Sequence, residues 1–366
     1  MKLRCERDSL VDALALAGRA SSGRALPSAL GGVKLDLRAD TLHVTGTDQD
    51  LTIVTTVKVA GMEDGVVVVP SRLLADIARA LPAGAVMIEG DEDEVRVSGG
   101  RSEFLLRPYR VADFPRVGVV SGPGVSLAAT GLAEGLRQVV RAASSEEARP
   151  VLTGVLLAAE ADGLRLVATD SYRLAVKDIP GAKALLEEGQ HVLVPSRALA
   201  ELQRLLAHDV SEVEVHVAPR DMAFCVDHVQ LVTRLIDGEF PPYRQLIPFN
   251  YPNKLSVPRA AFLDAIKRVR LVARDATTPA RVLLRDGSIQ LNVVTNDWGQ
   301  ATEEVEASYE GAEMAIAFNP QYLADGVEAI PGDEVVLEAL DSLKPVTLKP
   351  SGSADYVYLL MPVRVS

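Results

Sequence analysis

Hydrophobic and polar residues follow the same order of patterns three times along the chain. Each pass opens with a segment in which apolar residues recur every three or four positions, which predicts an amphipathic helix. These segments read DSLVDALALAGRA, TGLAEGLRQVVRAA and PRAAFLDAIKRVRLVA. Stretches of alternating residues follow, and Asp162-Gly163 and Asp286-Gly287 predict tight turns between strands.

A second, shorter helical pattern also recurs in each pass. It reads VPSRLLADIARALP around Pro70, VPSRALAELQRLLA around Pro195 and, more faintly, NPQYLADGVEAIP around Pro320, and these prolines are equally spaced. Ser71 and Ser196 are predicted to cap two of the helices. A unit of about 120 residues is large enough to form a domain. The pattern therefore predicts an α+β protein of three repeated domains, each with two helices packed on antiparallel sheets, with boundaries at 1–119, 120–250 and 251–366.

The stretch LVATDSYRLAV contains a polar interruption within an apolar strand pattern. Thr47-Asp48, Thr169-Asp170 and Thr295-Asn296 occupy equivalent places in the three passes, and a site used once would not need three copies. The Thr-Asp pair is therefore predicted to form a turn. Only the middle copy continues as Ser171-Tyr172-Arg173-Leu174, where a specific function could have been added.

Composition narrows the class of protein. The chain of 366 residues has two cysteines, Cys5 and Cys225, too few for a disulfide framework and not spaced as metal ligands. No apolar run is long enough to span a membrane, and Glu6, Asp8 and Asp12 interrupt any signal peptide. A reduced, cytoplasmic protein without metal or cofactor is expected.

No catalytic signature can be read from the sequence. A nucleophile elbow, a zinc-protease helix, a Walker-type loop and a dinucleotide fingerprint are all missing, and the histidines are scattered. His43 and His216 alternate with apolar neighbours, as strand-surface residues do. The sequence thus favours a protein with no catalysis of its own, although an enzyme that uses a repeated fold stays an open alternative.

Basic residues concentrate in the helical segments. The net charge of −12 argues against a nucleic-acid partner unless charge is segregated by face, and the predicted helices do carry net positive charge. Arg72 and Arg79 lie seven positions apart, and Arg197 and Arg204 repeat that pair in the next unit. A solvated helix face is the alternative explanation.

The repeats, ATDSYRLAV, the VPSR helix starts, FPPYRQLIP and the C-terminal YVYLLMPVRVS together resemble the bacterial DNA polymerase III beta subunit, the sliding clamp family. The resemblance covers essentially the full chain. It implies a ring of two chains joined head to tail, which surrounds double-stranded DNA without sequence preference and tethers polymerase III. The positions expected near the DNA are Arg24, Arg72, Arg79, Arg137, Arg141, Arg149, Arg197, Arg204, Lys267 and Arg268.

The resemblance also implies a hydrophobic groove that accepts a short peptide from the polymerase alpha subunit, the clamp loader, other polymerases and repair proteins. Its expected wall is Leu152, Thr169, Ser171, Tyr172, Arg173, Leu174, Pro241, Gln245, Leu246, Leu343, Pro345, Leu359, Met361, Pro362, Val363 and Arg364. Tyr172 stands where the family often carries His, Gln245 where Arg is common, and Ser171 where Gly is frequent. These departures leave open a diverged clamp paralogue with altered partner or inhibitor binding.

For the homodimer, the resemblance implies an interface between the first domain of one chain and the third domain of its partner. Phe104 is expected to pack against Leu271 and Val272 of the second copy. Arg101 and Arg107 are expected to face Glu303 and Glu304 there.

Overall fold

The computed structural model describes residues 1–21, 28–117, 124–182, 185–207, 209–273, 277–352 and 355–364. Within these ranges the predicted pattern of two helices in each repeat is confirmed. The helices are α1 (Arg7–Gly18), α2 (Ser71–Ala80), α3 (Ala129–Val139), α4 (Ser196–Leu205), α5 (Arg259–Arg270) and α6 (Pro320–Ala329). None of the helices in the described ranges is both long and apolar enough to cross a membrane.

Strands fill most of the remaining chain. The first half contains β1 (Lys2–Glu6), β2 (Gly32–Arg38), β3 (Thr41–Thr47), β4 (Leu51–Lys58), β5 (Ala60–Glu63), β6 (Gly65–Pro70), β7 (Ala85–Gly90), β8 (Val95–Gly99), β9 (Ser102–Leu106), β10 (Val125–Ala128), β11 (Gly154–Glu160), β12 (Gly163–Thr169) and β13 (Arg173–Pro180). The second half contains β14 (His191–Pro195), β15 (Glu212–Val217), β16 (Asp221–Val226), β17 (Val229–Arg234), β18 (Asn253–Pro258), β19 (Ala280–Arg285), β20 (Ser288–Thr295), β21 (Gly299–Glu306), β22 (Ser308–Glu310), β23 (Met314–Phe318), β24 (Glu334–Ala339), β25 (Val346–Pro350) and β26 (Tyr356–Leu360). The predicted Asp-Gly turns join β11 to β12 and β19 to β20.

The chain forms two compact units. One comprises residues 1–129 and 204–235, and the other comprises residues 130–203 and 236–366. The first unit holds a five-stranded sheet in the order β5-β1-β7-β8-β9 and an eight-stranded sheet in the order β10-β15-β16-β17-β4-β3-β2-β6. The second holds a nine-stranded sheet, β14-β11-β12-β13-β26-β25-β24-β18-β22, and a four-stranded sheet, β21-β20-β19-β23.

Neighbouring repeats share sheets. In the first unit, β17 of the middle repeat pairs antiparallel with β4 of the first repeat. In the second unit, β26 of the third repeat pairs antiparallel with β13 of the middle repeat. The last strand of one repeat is thus added to the third strand of the meander in the repeat before it. Pairing of this kind satisfies backbone donors and acceptors that an open sheet edge would expose.

The core of the first unit lies between its helices and sheets. Leu10 and Leu14 of α1 and Leu74 of α2 are buried against strand residues such as Val33 and Val44. Burial of each such side chain contributes about 1.5–3 kcal/mol to the hydrophobic stabilisation. The apolar faces of the helices and of the strands therefore pack together in one layer, as the sequence pattern predicts.

The Thr-Asp pairs form turns, and this prediction is confirmed in the first two repeats. The Thr47 hydroxyl accepts the Gln49 amide at 3.1 Å, and the Asp48 carboxylate accepts the Leu51 amide at 2.8 Å. Gln49 has a left-handed backbone conformation, with φ of 84°. In the middle repeat, Thr169, Asp170 and Ser171 repeat this arrangement; the amide of Ser171 donates to the Thr169 hydroxyl at 3.1 Å, and φ of Ser171 is 79°.

The predicted serine cap of α2 is wrong. The helix begins at Ser71 itself, with Pro70 at the N-cap position and no side-chain cap. The Ser71 hydroxyl instead lies 3.3 Å from that of Ser21. A side-chain cap is present on α6, where the Asn319 carbonyl oxygen accepts the amides of Gln321 and Tyr322. Proline at the cap supplies a fixed φ but no side-chain acceptor.

Replacing Gln49 with Gly should stabilise the chain by about 0.5–1 kcal/mol, because Gly adopts a positive φ without the penalty that Cβ imposes. Asp50→Gly is the matched control at an adjacent exposed position outside the left-handed region, and it should destabilise by a similar amount. Urea unfolding followed by far-UV circular dichroism measures both. Equal destabilisation by the two variants would contradict the turn assignment.

Candidate functional site

Strand pairing brings two of the three predicted groove segments together. Leu174 lies opposite Leu359 and Arg173 opposite Leu360, because β13 and β26 are antiparallel neighbours. The pairing continues beyond the strand, where the Met361 amide donates to the Tyr172 carbonyl at 2.9 Å. The C-terminal residues are therefore held beside the Ser171-Tyr172 turn.

An apolar cluster lies beneath this junction and includes the third segment. Leu174 and Leu359 pack with Leu156, Val167 and the buried ring of Tyr243. Phe240 packs edge-on against the Tyr243 ring, with ring centres 6.3 Å apart. The residues around Pro241 are thus anchored by aromatic side chains that the prediction did not include.

Pro241 and Gln245 line a pocket of about 510 Å³ with residues of β11 and β14, among them Leu156, Ala158 and His191. The pocket is apolar where Leu156 and Phe240 contribute and polar at Gln245 and Arg244. Ligand pockets are typically about 300–1,000 Å³, and this one also carries the charged side chains of Glu160, Glu239 and Arg244 in its wall. Gln245 thus has a direct place in a cavity wall.

Arg173 organises the polar part of the site. Its guanidinium donates to Asp170 at 2.9 Å and to Asp325 at 2.5 Å, and all three side chains are nearly buried. Burial by itself would lower the pKa of Arg173, but Tyr358 and the Asp325 and Asp170 carboxylates outweigh it, so that the pKa is raised. Arg173 is consequently a fixed cation that ties the Thr-Asp turn to α6.

Tyr172 is the most prominent aromatic side chain on the turn, with 59% of its surface exposed. Its ring stacks on that of Tyr322 in α6, with centres 6.5 Å apart and planes at 28°. The Arg173 guanidinium lies over the Tyr322 ring at 4.2 Å, a cation–π geometry. Tyr322 therefore belongs to the same surface, although sequence reasoning missed it; the one available signal is its place in the third copy of the short helical pattern.

The predicted groove residues divide by exposure. Leu152, Thr169, Leu174 and Leu359 are buried and support the surface from below. Pro241, Pro345 and Pro362 are half-buried, and the Arg173 side chain is nearly buried. The exposed residues are Ser171, Tyr172, Gln245, Leu246, Leu343, Met361, Val363 and Arg364.

The tail and the loop before β25 approach the same edge. The Val363 amide donates to the Ala317 carbonyl at 2.7 Å, which attaches the tail to the end of β23. Pro345 directly precedes β25, whose Val346 lies opposite Leu360. Leu343 is 72% exposed.

Basic residues on the helices have unequal environments. Arg72, Arg197, Arg204 and Lys267 are exposed, and Arg79 is exposed with an ion pair to Asp76 at 2.8 Å. Arg24 lies outside the described residues. Exposed cations of this kind can contact phosphate oxygens without base specificity.

Arg137, Arg141 and Arg149 are engaged within the second unit. Arg137 donates to the carbonyls of Glu328 and Ala329 at 3.0 and 2.9 Å, and so joins α3 to the end of α6. Arg141 follows α3 in a short 3-10 turn and pairs with Glu328, which lowers the pKa of that carboxyl. The guanidinium of Arg149 donates to Ser171 at 3.0 Å, which connects one predicted DNA-facing residue to the predicted groove.

Arg268 and the two predicted acidic interface residues also have partners within the chain. Arg268 binds both oxygens of Glu303, at 2.8 and 2.7 Å, and this interaction lowers the pKa of Glu303. Glu304 pairs with Arg285 at 2.5 Å. Neither carboxylate therefore depends on a second copy for a counter-ion.

The remaining predicted interface residues lie on exposed edges. Phe104 is in β9, the last strand of its sheet, and is flanked by the exposed Arg101 and Arg107. Leu271, which follows α5, is 74% exposed, and Val272 is half-buried.

Comparison with known families covers the chain in three consecutive parts. The DNA polymerase III beta subunit N-terminal domain matches residues 1–118, the central domain matches residues 126–242 and the C-terminal domain matches residues 244–364. A beta sliding clamp of Staphylococcus aureus is 32% identical over 376 residues, with 100% of this chain and 99% of the relative covered. One of Streptomyces coelicolor is 33% identical over 377 residues, with both chains fully covered.

Solved structures agree with this match. A Caulobacter crescentus beta sliding clamp superimposes with a TM-score of 0.92 at 29% identity, covering 100% of this chain and 99% of that one. A Bartonella birtlesii sliding clamp, solved bound to griselimycin, has a TM-score of 0.92 at 30% identity with both chains fully covered.

Arg173→Met should destabilise the chain by about 3 kcal/mol at neutral pH, because Asp170 and Asp325 would stay nearly buried without their cation. Arg244→Met is the matched control, since Arg244 forms an exposed pair with Glu160, and it should cost less than about 1 kcal/mol. Guanidinium unfolding monitored by circular dichroism gives both values. Losses of the same size would show that the Arg173 network has no special structural role.

Proposed function

The chain belongs to the DNA polymerase III beta subunit family, the beta sliding clamps, and on that premise we propose that it encircles double-stranded DNA and tethers replication proteins to it. The tether would raise the local concentration of a polymerase at the primer end without any new catalytic group. The chain would thus be a processivity subunit and not an enzyme. Its compartment would be the cytoplasm, where a bacterial chromosome is copied.

Sheet topology supports a head-to-tail ring. Within the chain, the last strand of one repeat twice pairs with the third meander strand of the preceding repeat, as β17 does with β4 and β26 does with β13. The last strand of the first repeat, β9, and the third meander strand of the third repeat, β21, have no such partner within the described part of the chain. Both are edge strands of their sheets. Pairing β9 of one copy with β21 of a second copy would repeat the rule, and two such contacts would close a homodimer.

This pairing would bring the predicted interface residues together. Phe104 lies in β9, and Glu303 and Glu304 lie in β21. Because both glutamates already have partners within the chain, Arg101 and Arg107 of the second copy would add to existing ion pairs and contribute little to affinity. Exposed apolar surface at Phe104 and Leu271 would supply most of the binding energy.

Contact with DNA would come from the exposed helical cations. Phosphate contact is independent of sequence and weakens as salt rises, which suits a protein that must move along the duplex. The net charge of −12 would repel nucleic acid from other surfaces of the molecule. We propose Arg72, Arg79, Arg197, Arg204 and Lys267 as phosphate contacts, and assign Arg137 mainly to the packing of α3 on α6.

Tyr172, Met361 and the surrounding apolar residues would bind a short peptide from the polymerase alpha subunit, the clamp loader or repair proteins. The observation that carries this proposal is the hydrogen bond from the Met361 amide to the Tyr172 carbonyl. It places two large, exposed apolar side chains on one surface above a buried apolar cluster. Recognition of extended peptides by such surfaces combines backbone hydrogen bonds with pockets for apolar side chains. A diverged clamp paralogue is the competing proposal, favoured by the Tyr172 ring that stacks on Tyr322 where the family often has His.

A fluorescein-labelled clamp-binding peptide derived from a bacterial polymerase III alpha subunit tests the groove. Fluorescence anisotropy should show saturable binding, and Tyr172→Ala should weaken it by about tenfold, because an aromatic contact contributes on the order of 1–2 kcal/mol. Phe249→Ala is the matched control, since this ring is 82% exposed outside the predicted groove. Wild-type protein that dimerises without binding the peptide would favour the diverged paralogue.

Phe104→Asp should weaken self-association by at least about tenfold, because a carboxylate would replace an apolar contact on the pairing edge. Met62→Asp is the matched control, since Met62 is 54% exposed in β5, at the opposite edge of the same sheet. Sedimentation equilibrium measures both dimers. Loss of the dimer in Met62→Asp alone, or a monomeric wild-type chain, would overturn the proposed pairing of β9 with β21.

A further inference from the structure

Three potential metal ligands meet on the eight-stranded sheet of the first unit, on two strands that contain none of the predicted groove residues. Glu214 and His216 are two positions apart in β15 and therefore point to the same face. Cys225 lies directly opposite Glu214 in β16. One ligand atom of each residue lies within 4.8 Å of the other two, and within the described ranges no other group of three such side chains does so.

The three side chains lie on the side of the sheet that faces away from the apolar core. Val213 and Val215 alternate with them and are buried, whereas Glu214 is exposed and His216 and Cys225 are half-buried. A cation could therefore reach the cluster from solvent. No local pattern in the sequence indicates the cluster, because antiparallel pairing brings Cys225 to Glu214 and neither residue belongs to a short-spaced ligand motif.

We propose that Glu214, His216 and Cys225 bind one Zn²⁺ ion, with the fourth coordination position open to water. Thiolate, imidazole and carboxylate are the three ligand types of protein zinc sites. Magnesium and calcium prefer oxygen ligands alone, so the thiol and the imidazole argue against both.

The separation of the imidazole and carboxylate ligand atoms suits tetrahedral coordination. The Nε2 atom of His216 lies 3.4 Å from Oε1 of Glu214. Two ligand atoms at ordinary zinc–nitrogen and zinc–oxygen distances are about 3.3 Å apart when they subtend a tetrahedral angle. The imidazole and the carboxylate thus already have the separation that a bound zinc ion requires.

Neighbouring residues orient one ligand and leave room for another. The Gln230 side-chain amide donates to the Cys225 sulfur at 3.8 Å from the next strand. Glu214 lies over Gly124, where a Cβ atom would come within 2.2 Å of its Oε1. Groups that orient ligands from outside the coordination sphere are typical of zinc sites. A glycine at position 124 therefore leaves room for the carboxylate beside the imidazole.

The site uses none of the residues that we propose for phosphate or peptide contact. It would link β15 to β16 through side chains in addition to the backbone ladder. Because zinc would bind the folded chain and not the unfolded one, it would raise the unfolding temperature in proportion to the logarithm of its free concentration.

Titration of the metal-free, full-length chain with Zn²⁺ in an isothermal calorimeter tests the proposal. We expect one ion per chain and a rise in unfolding temperature that depends on zinc concentration. Cobalt offers a direct readout, since Co²⁺ in the same site should give a thiolate-to-cobalt charge-transfer band. Cys225→Ser should abolish that band, and Glu214→Gln should weaken zinc binding by about tenfold or more through loss of one ligand.

His191→Gln is the matched control, because His191 is an exposed imidazole of β14 in the other unit. It should bind zinc as the wild type does. Glu214 is exposed, so Glu214→Gln should fold normally and stays informative if Cys225→Ser does not. Absence of binding in the wild type, or equal binding by Glu214→Gln and wild type, would overturn the site and leave an ordinary contact between Glu214 and His216.

Discussion

Antiparallel pairing between the edge strands of neighbouring repeats is the interaction on which the rest of the structure depends. The β13–β26 ladder carries the Met361–Tyr172 hydrogen bond and thereby creates the candidate groove. The β17–β4 ladder extends the sheet on which Glu214 and Cys225 meet. Backbone hydrogen bonds at a sheet edge need no particular side chain, so the repeats could diverge in sequence while this contact persisted.

The order of elements could be predicted from the sequence because helix and strand periods are local signals. The turn at Thr169-Asp170 could be predicted because it recurs. Its role in orienting the backbone follows from short-range hydrogen bonds such as the one that the Tyr172 amide donates to the Asp170 carboxylate. Pairing between repeats could not be predicted from the pattern, since it joins strands such as β13 and β26 that are far apart in the chain. Because these strand ladders join neighbouring repeats, the three repeats do not separate into three compact units.

The candidate site shows the same limit at the level of side chains. Resemblance to the family identifies the segments that form the candidate groove. Burial then determines whether a residue in such a segment can contact a ligand or only supports a neighbour that can. Leu174 and Leu359 face inward and stabilise the surface on which Tyr172 and Met361 are exposed. Tyr322 comes from a different repeat and reaches Tyr172 only through packing of the folded second unit. The helical repeat places Tyr322 on a helix, but no local pattern in the sequence indicates that its ring meets Tyr172.

Charge shows why residue type alone is a weak guide to DNA contact. Arg137 and Arg72 are both helical arginines. The Arg137 guanidinium donates hydrogen bonds to the carbonyls at the end of α6, whereas Arg72 is exposed. Arg268 carries a bidentate carboxylate and presents a nearly neutral pair to its surroundings. A clamp that slides needs weak contact with DNA. Arginines that form ion pairs within the chain attract phosphate less, while their side chains still pack against the helices. Processivity can then rest on closure of the ring, which in turn depends on whether β9 and β21 pair between two copies as β17 and β4 do within one.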